Sequence, residues 1–377
     1  MPTQLNRRHV LLAGAGVATA ALASAEFSNA KTPAPKYAPA VGVAKLNANE
    51  NPFGPSKAAI AAAYEATKSG AYYVSESVPR LKSMIAEKHN LAADNVALSS
   101  GSSGVLSYLA AAKASQGNIL GPDLFWDTTA KMGTRHQGKI VYLPKTADLS
   151  INLDAMLAAI TPDVSLVHIT NPNNPTGLAL PPEKLTEFCK AAAKKCTVLV
   201  DEAYNELTDA PEVHTMAPLI QQGYDIFVAR TFSKIYGMAG MRVGYMLASE
   251  ANIALLNQHG LGDYAMNQAG VAAAVACYHD EQFLSTSKSA IVEAREAVIE
   301  ATTANGLRPL PSATNFVFVD LGQRNAEAFR QAMAKHNVLI RGIYRDYTAW
   351  SRVSMGKPQD VAAYINALPK VLDNLHA

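Results

Sequence analysis

The chain has 377 residues, of which 49% are apolar and 17% are charged, with 33 basic and 31 acidic side chains. Disordered chains are poorer in apolar residues and carry more unbalanced charge, so the composition predicts a globular protein long enough for two domains. A net charge of +2 without a basic stripe argues against a nucleic-acid partner, and three cysteines without close Cys/His spacing argue against a disulfide framework or a metal site.

The N-terminal residues have the layout of a bacterial export signal. The pair Arg7-Arg8 precedes a short apolar run, and small-x-small cleavage patterns end at Ala25 and at Ala30. The arginine pair is typical of the twin-arginine route, which exports folded proteins. The alternative, a membrane anchor, is disfavoured because the run is short and rich in Gly, Ala and Ser. We expect residues 1–30 to be a cleaved signal, the twin-arginine export machinery to be a transport partner, and the mature chain to be periplasmic or exported.

The remainder of the chain has two parts that differ in composition. A Pro/Ala-rich stretch opens it, and we predict an extended N-terminal arm over residues 31–65. Beyond the arm, short β-branched runs alternate with amphipathic helical runs such as residues 182–195. This alternation predicts an α/β fold, with a parallel sheet covered by helices on both faces. The clearest strand candidates are residues 165–169, 197–200, 225–228 and 243–247.

Polar turns follow the predicted strands. Ligands of such sheets bind at the carboxyl ends of the strands, so these turns are the places where a site is expected. Together with flanking segments they form seven motifs in chain order: NANENPFG (47–54), SGSSG (100–104), NPNNPTG (171–177), DEAY (201–204), RTFSK (230–234), MAGMRVGY (238–245) and RVSMG (352–356).

This ordered set resembles the pyridoxal-phosphate (PLP) aminotransferases of fold type I, class I/II, and most of all the histidinol-phosphate aminotransferase branch. The resemblance covers the chain from about Leu46 to its C-terminus. It implies a large PLP-binding domain, residues 66–265, and a smaller C-terminal α+β domain, residues 266–377. The implied activity moves an amino group from an amino acid to a 2-oxo acid, in a homodimer with a shared active site. The amino acid stays open: histidinol-phosphate-like, aromatic or basic.

Lys234 is the candidate catalytic lysine. By resemblance it forms the Schiff base with the cofactor and then carries a proton to and from the substrate. Asp201, at the end of a hydrophobic run, matches the carboxylate that keeps the cofactor ring nitrogen protonated. Tyr204 and Asn174 match the residues that hydrogen-bond the phenolic oxygen of the cofactor.

A phosphate group needs backbone N–H groups at a helix N-terminus, hydroxyls and a cation. The resemblance assigns this phosphate site to Gly101, Ser102, Ser103, Thr231, Ser233 and Arg242.

The substrate side is assigned to two arginines and an asparagine. Arginine clamps a carboxylate with two parallel hydrogen bonds, and Arg352 matches the family residue that does so. Arg341 is a second cation for the far end of the substrate, and Asn49 lies in the first motif. Either Phe125 or Trp126 stacks on the cofactor ring, and the sequence does not choose between them. Tyr73 is assigned to the phosphate of the neighbouring subunit.

Two other functions fit parts of the sequence. A racemase, decarboxylase, lyase or amino-acid oxidase would use the same cofactor and the same lysine, because motifs do not encode which substrate bond is broken. A periplasmic solute-binding protein would also have a signal and two α/β lobes. That alternative leaves the Ser-Lys, Asp, Tyr and Arg motifs without a purpose.

Overall fold

The computed structural model describes residues 38–135 and 137–375. The predicted export signal, with both cleavage sites, lies outside these residues. Among the described residues, none of the helices has both the length and the apolar character needed to span a bilayer. The strands are β1 (Ala44–Leu46), β2 (Val96–Ser99), β3 (Asn118–Pro122), β4 (Ile140–Leu143), β5 (Val164–Thr170), β6 (Thr197–Asp201), β7 (Ile226–Thr231), β8 (Gly244–Leu247), β9 (Arg308–Pro309), β10 (Phe316–Asp320), β11 (Val338–Ile340) and β12 (Trp350–Ser354).

The helices cover the sheets and connect the strands. They are α1 (Lys57–Thr67), α2 (Ser77–Lys88), α3 (Ser102–Ala114), α4 (Thr128–Gly133), α5 (Leu153–Ala158), α6 (Pro182–Ala192), α7 (Pro218–Gln221), α8 (Glu250–Asn257), α9 (Gln268–Cys277), α10 (Glu281–Ala304), α11 (Ala326–Ala334) and α12 (Pro358–Asn374).

A seven-stranded sheet in the order β2-β8-β7-β6-β5-β3-β4 forms the centre of the fold. Strand β8 runs antiparallel to β2 and β7, and the other neighbouring pairs are parallel. All five residues of β6 are buried, as expected for a strand covered on both faces. Alternate residues belong to different apolar clusters: Val198 and Val200 to one, Leu199 to the other. The predicted α/β fold with helices on both faces is therefore confirmed.

The C-terminal part builds two smaller sheets. Strands β12, β10 and β9 form an antiparallel sheet, while β1 pairs in parallel with β11. The pairing of β1 with β11 brings the segment that follows β1 close to β12. Helices α10, α11 and α12 pack around these strands.

Two local predictions were wrong. Helix α1 contradicts an extended arm over residues 57–65, because Ser56 accepts a hydrogen bond from the Ala59 N–H and the alanine-rich run that follows has high helix propensity. Helix α6 ends at Ala192, short of the predicted residue 195. The domain boundary at residues 265/266 stays a prediction. Helix α9, just after that boundary, packs against α1 and α2.

Candidate active site

A cavity of about 620 Å³ lies at the carboxyl ends of the central strands. Thr170, Asp201 and Thr231, the last residues of β5, β6 and β7, line it side by side. The cavity also brings together most of the residues predicted from the sequence: Asn49, Ser102, Ser103, Phe125, Trp126, Asn174, Tyr204, Ser233, Lys234, Arg242, Arg341 and Arg352. Gly101 adjoins it, whereas Tyr73 lies elsewhere on the same chain.

Lys234 follows the end of β7 and places its amine inside the cavity. Its Nζ donates a hydrogen bond to the Asn49 carbonyl oxygen (3.1 Å) and lies 5.5 Å from the centre of the Tyr204 ring. Burial of the amine, followed by the nearby positive charge of Arg352, lowers the pKa of Lys234 to about 8. A neutral amine is the form that attacks an aldehyde, so this lysine is prepared for covalent chemistry near neutral pH.

Asp201 is a buried carboxyl group at the end of β6. It is 3% exposed, and its Oδ1 accepts a hydrogen bond from the Ala203 N–H at 3.3 Å. Within the described part of the chain, Asp201 forms no ion pair, and burial raises its pKa to about 7. A cation brought to this carboxylate would remove much of that cost.

Tyr204 and Asn49 connect the site to the N-terminal segment. The Tyr204 hydroxyl accepts a hydrogen bond from Asn49 Nδ2 at 3.0 Å, and burial raises its pKa to about 12. The Ser354 hydroxyl donates to Asn49 Oδ1 (2.8 Å) and accepts from the Asn49 N–H (2.9 Å). Asn49 therefore holds the tyrosine in place from across the cavity. Its predicted contact with substrate stays a prediction.

Backbone groups at the start of α3 form a cradle for an anion. Gly101 precedes the helix at a φ of 74°, and Arg242, itself at a φ of 55°, donates from Nη2 to Ser103 Oγ at 3.1 Å. A Cβ atom at Gly244 of β8 would lie 2.1 Å from the Ser102 nitrogen, so only glycine allows this close approach. Thr231 and Ser233 add hydroxyls that are 2.9 Å apart.

Arg352 lies on β12 and is almost completely buried. Its Nη1 donates to Asn174 Oδ1 (2.6 Å) and its Nη2 to the Asn47 carbonyl (3.1 Å). Its Nε is buried, and the described residues offer it no acceptor. Arg341 is exposed at the cavity and lies beside Arg352 through a backbone bridge. Arg341 is thus available to anions entering the cavity, and Arg352 adds its positive charge to the cavity wall.

The two candidate stacking residues differ in their surroundings. Phe125 is 4% exposed and packs edge-on against His168, with ring centres 5.0 Å apart, inside an apolar cluster. Trp126 is half-buried along the cavity. The structure favours Trp126 as the ring that faces a bound molecule. Tyr73 is 81% exposed and contacts Tyr264 edge-on at 6.1 Å, so its predicted role depends on a second subunit and stays a prediction.

Sequence reasoning missed two features of this cavity. Thr170 is 1% exposed, and its hydroxyl has no hydrogen-bond partner among the described residues. Its position at the carboxyl end of a buried strand was the available signal. The second is an ion-pair cluster in which Asp127 accepts from Arg345, Lys131 and the Tyr142 hydroxyl. Arg345 comes from a segment more than two hundred residues away, so no local pattern indicates this cluster.

A model of the aminotransferase class I and II family matches residues 41–368. The chain belongs to the aminotransferase class I and II family. Histidinol-phosphate aminotransferase 1 of Cupriavidus pinatubonensis is 34% identical over 335 residues, covering 88% of this chain and 89% of the relative. The structure of histidinol-phosphate aminotransferase from Sinorhizobium meliloti in complex with pyridoxal-5'-phosphate is 29% identical, with a TM-score of 0.80 and coverage of 88% and 91%. Aspartate aminotransferase from Thermus thermophilus with maleate, 20% identical at a TM-score of 0.76, shares the fold.

The protein is therefore a PLP-dependent aminotransferase, and the residues of the cavity fit the cofactor. The buried carboxylate of Asp201 suits a protonated ring nitrogen. The cradle at Ser102 and Ser103 with Arg242 suits a phosphate, and the buried hydroxyl of Thr170 still has hydrogen-bonding capacity. The amine of Lys234 suits the aldehyde.

Proposed function

We propose that this aminotransferase acts on amines that carry two negative charges, either as one phosphate monoester or as two carboxylates. The observation behind the proposal is the charge of the cavity. Six cationic side chains line it against two acidic ones. The cations are Lys131, Lys234, Arg242, Arg341, Arg345 and Arg352, and the acids are Asp127 and Asp201.

The cofactor accounts for three of these charges. Lys234, Arg242 and Asp201 face its aldehyde, phosphate and ring nitrogen in the assignment given above. The remaining groups are three arginines and Lys131 against the single carboxylate of Asp127. This excess of positive charge favours a substrate with two negative charges and disfavours a basic amino acid, because like charges in a cavity repel.

The residues around the reacting carbon then have separate roles. Arg352, held by Asn174 and by the Asn47 carbonyl, orients the anionic group next to the reacting carbon. Lys234 Nζ accepts a proton from that carbon and returns it. The bound PLP supplies an electron sink that makes the carbon acidic. Trp126 covers one side of the cavity and Tyr204 donates a hydrogen bond within it.

Histidinol phosphate, named in the relatives, belongs to this substrate class because it is a phosphate monoester. Dicarboxylic amino acids belong to it as well. The proposal is tested by mixing holoenzyme with single donors, without an acceptor, and following the visible spectrum of the cofactor. The donors are histidinol phosphate, L-glutamate, L-phenylalanine and L-lysine.

We expect at least one of the two dianionic donors to react faster than phenylalanine and lysine. In Arg341→Met and Arg345→Met variants that donor loses about tenfold or more in kcat/KM, as expected for a lost charged hydrogen bond, while phenylalanine is affected less. Lys190→Met, which removes a cation outside the cavity, is the control. Lysine or phenylalanine reacting faster than both dianionic donors would contradict the proposal.

We also propose that the enzyme is a homodimer in which Tyr73 reaches the phosphate cradle of the partner. The support is an exposed aromatic surface: Tyr72, Tyr73 and Tyr264 are each at least 74% exposed. Large exposed aromatic groups are typical of protein interfaces. Mixing inactive Lys234→Ala subunits with weakened Tyr73→Ala subunits should restore activity, because a hybrid dimer has one site with both residues. A monomer in light scattering would refute this.

We further propose that the enzyme is exported through the twin-arginine route. The support is the sequence of residues 6–25, with its arginine pair, apolar run and small-residue cleavage pattern. In a bacterial host, the native chain should be recovered outside the cytoplasm with Glu26 or Lys31 as its first residue. The R7K/R8K variant should stay in the cytoplasm. Equal distribution of the two chains would refute the route.

A further inference from the structure

A second cavity of about 610 Å³ lies next to the active site and shares none of its lining residues. Three basic and three acidic side chains line it: Lys88, Arg230, Lys288, Glu206, Glu212 and Glu281. Its charges therefore balance, whereas those of the active-site cavity do not. Selection of ligands by charge is thus expected in the active site, where four of the cations form two separate groups.

The first group of cations lies beside the reacting amine. Arg341 and Arg352 are both close to the Tyr344 ring, with their Cζ atoms 5.3 and 5.4 Å from its centre. Burial, and then the charge of Arg352, lowers the pKa of Lys234 to about 8. This group is therefore placed for the anionic group next to the reacting carbon.

The second group, Arg345 and Lys131, surrounds the carboxylate of Asp127. Asp127 Oδ2 accepts from Arg345 Nη2 and from Lys131 Nζ, the latter at 2.9 Å. It also accepts from the Tyr142 hydroxyl at 2.8 Å, and the Arg345 Cζ lies 3.7 Å from the centre of the Tyr142 ring. Tyr142 belongs to β4, an edge strand of the central sheet, and three strands separate β4 from β7, which Lys234 follows. The second group therefore lies away from the reacting amine.

Asp127 is ionised, and its two cationic partners are accessible. Burial would raise the pKa of Asp127, but the hydrogen bonds from its three partners outweigh burial and lower the pKa. The side chains of Arg345 and Lys131 are 29% and 57% exposed, and both line the cavity. Within the described residues, Arg345 Nε and Nη1 donate no hydrogen bond. An anion in the cavity can therefore bind both cations while Asp127 stays in place.

The position of Arg345 does not depend on Asp127 alone. Its backbone has a φ of 49°, a left-handed conformation that residues other than glycine seldom adopt. Such a conformation is retained where the surrounding structure fixes it. Two residues on, the Tyr347 hydroxyl donates to Asp123 Oδ2 at 3.0 Å, which fastens the same segment to the loop after β3. Arg345 should therefore keep its place over the Tyr142 ring when the charge of Asp127 is removed.

We propose that Arg345 and Lys131 bind the far anionic group of the substrate, and that Asp127 limits the affinity of this subsite by repelling the same group. The inference rests on the preference for dianionic substrates proposed above, and it identifies Asp127 as a residue that determines how strong that preference is. Asparagine at this position would keep an oxygen that accepts from Arg345. It would remove the negative charge, so the subsite would gain attraction for an anion.

The probes are the dicarboxylates glutarate, adipate and pimelate, each compared with the monocarboxylate of equal length: pentanoate, hexanoate or heptanoate. They are titrated by calorimetry into holoenzyme, so that PLP occupies the phosphate cradle. In the wild type we expect at least one dicarboxylate to bind about tenfold more tightly than its monocarboxylate. That dicarboxylate should bind about tenfold more weakly to Arg345→Met and about threefold more weakly to the more exposed Lys131→Met, with the monocarboxylate changed less than about twofold.

Asp127→Asn should act in the opposite direction. The dicarboxylate should bind about five- to tenfold more tightly and the monocarboxylate should change little, because only the far anionic group loses a repelling charge. A residue with a merely structural role would not strengthen one ligand and spare the other. If Asp127→Asn does not fold, Asp127→Ser removes the same charge and takes its place.

The matched control is Asp320→Asn, which changes another Arg–Asp pair beside an aromatic ring. Arg308 donates to Asp320 Oδ2 at 2.7 Å and its Cζ lies 5.3 Å from the centre of the Trp350 ring, and none of these residues lines the active-site cavity. This variant should leave the binding of both ligands unchanged.

The outcomes distinguish this subsite from the proposed function. A wild type that binds no dicarboxylate more tightly than its monocarboxylate contradicts the dianionic preference itself, and the subsite with it. A wild-type preference that survives in Arg345→Met overturns the Arg345 subsite and leaves the dianionic preference standing. Dicarboxylate binding that is weaker or unchanged in Asp127→Asn overturns the repulsion assigned to Asp127.

Discussion

Asp201→Asn should change the stability of the apoprotein and the affinity for the cofactor in opposite directions. The carboxyl group is buried and paired with a single backbone N–H, and its pKa is about 7 instead of the ordinary 3.8. That difference corresponds to roughly 4 kcal/mol when the group is ionised in the folded apoprotein. Asparagine has a similar shape and no charge, so it does not incur this cost.

The direction in which the stability changes with pH follows from proton linkage. The folded-state pKa is raised, so the folded apoprotein holds its proton to higher pH than the unfolded chain does. The penalty is absent below about pH 4, grows between about pH 4 and 7, and is complete above that range. An unpaired asparagine N–H would cost about 1–3 kcal/mol, but that cost does not depend on pH. The pH dependence therefore isolates the charge.

Urea unfolding of the two apoproteins, followed by circular dichroism at pH 5 and pH 8, is the assay. The free energy of unfolding of Asp201→Asn relative to wild type should be about 2–3 kcal/mol higher at pH 8 than at pH 5. The same variant should bind PLP about 10–100-fold more weakly, because a neutral amide does not hold a protonated ring nitrogen as a carboxylate does. A stability difference that is the same at both pH values would refute the reasoning.

Glu202→Gln is the matched control at the next residue. Glu202 is equally buried, but its Oε2 accepts from Arg230 Nε and Nη2 and its Oε1 from the Met216 N–H. Removing its charge leaves Arg230 without its main partner, so this variant should lose about 3–5 kcal/mol of stability. Two neighbouring carboxylates should thus respond with opposite signs. Stabilisation by Glu202→Gln would contradict this reasoning, because it would show that burial decides the response of both carboxylates and the ion pair with Arg230 does not.

Three further outcomes are expected. Gly244→Ala should raise the dissociation constant of PLP about tenfold or more in equilibrium dialysis, because the new Cβ would displace the Ser102 N–H of the phosphate cradle. An unchanged dissociation constant would show that the Ser102 N–H does not bind the phosphate. The rate of PLP uptake by the apoprotein, followed by visible absorbance, should rise with pH with a midpoint near pH 8, where half of the Lys234 amine is neutral, and should level off about one pH unit higher. A midpoint near 10.5 would contradict the lowered pKa. Trp126→Leu should weaken PLP binding with little change in thermal stability. Phe125→Leu should chiefly lower the melting temperature, because Phe125 lies in the apolar cluster. The reverse pattern would indicate that Phe125 is the residue that stacks on the cofactor.

The sequence was sufficient to predict the structure where local interactions determine it. Strand β6 is a run of β-branched and aliphatic residues, and the polar residue that ends it, Asp201, lies at the carboxyl edge of the sheet because parallel strands all end there. The same rule, applied to β5, points to Thr170. Helix α1 also follows from local signals, because Ser56 caps it and the alanine-rich run favours a helix. The prediction of an extended arm was wrong there because it included these residues.

The remaining features depend on contacts between distant parts of the chain. Arg352 donates to Asn174 across 178 residues, and Arg345 reaches Asp127 across 218. The choice between Phe125 and Trp126 depends on which ring the sheet buries, and neighbouring aromatic residues give no local signal for that. Such pairings are set by packing of complete elements, so they follow from the fold and not from a motif.

The placement of two cavities on one set of strand ends has a physical origin. Successive side chains of a strand point to opposite sides, so neighbouring residues of β7 line different cavities. Arg230 faces the second cavity while Thr231 faces the first, and the buried pair of Arg230 with Glu202 lies just behind the cofactor carboxylate Asp201. Burying this pair costs free energy that its own attraction barely returns. Because Glu202 directly follows Asp201 in the chain, a substitution that breaks its pair with Arg230 should also weaken cofactor binding.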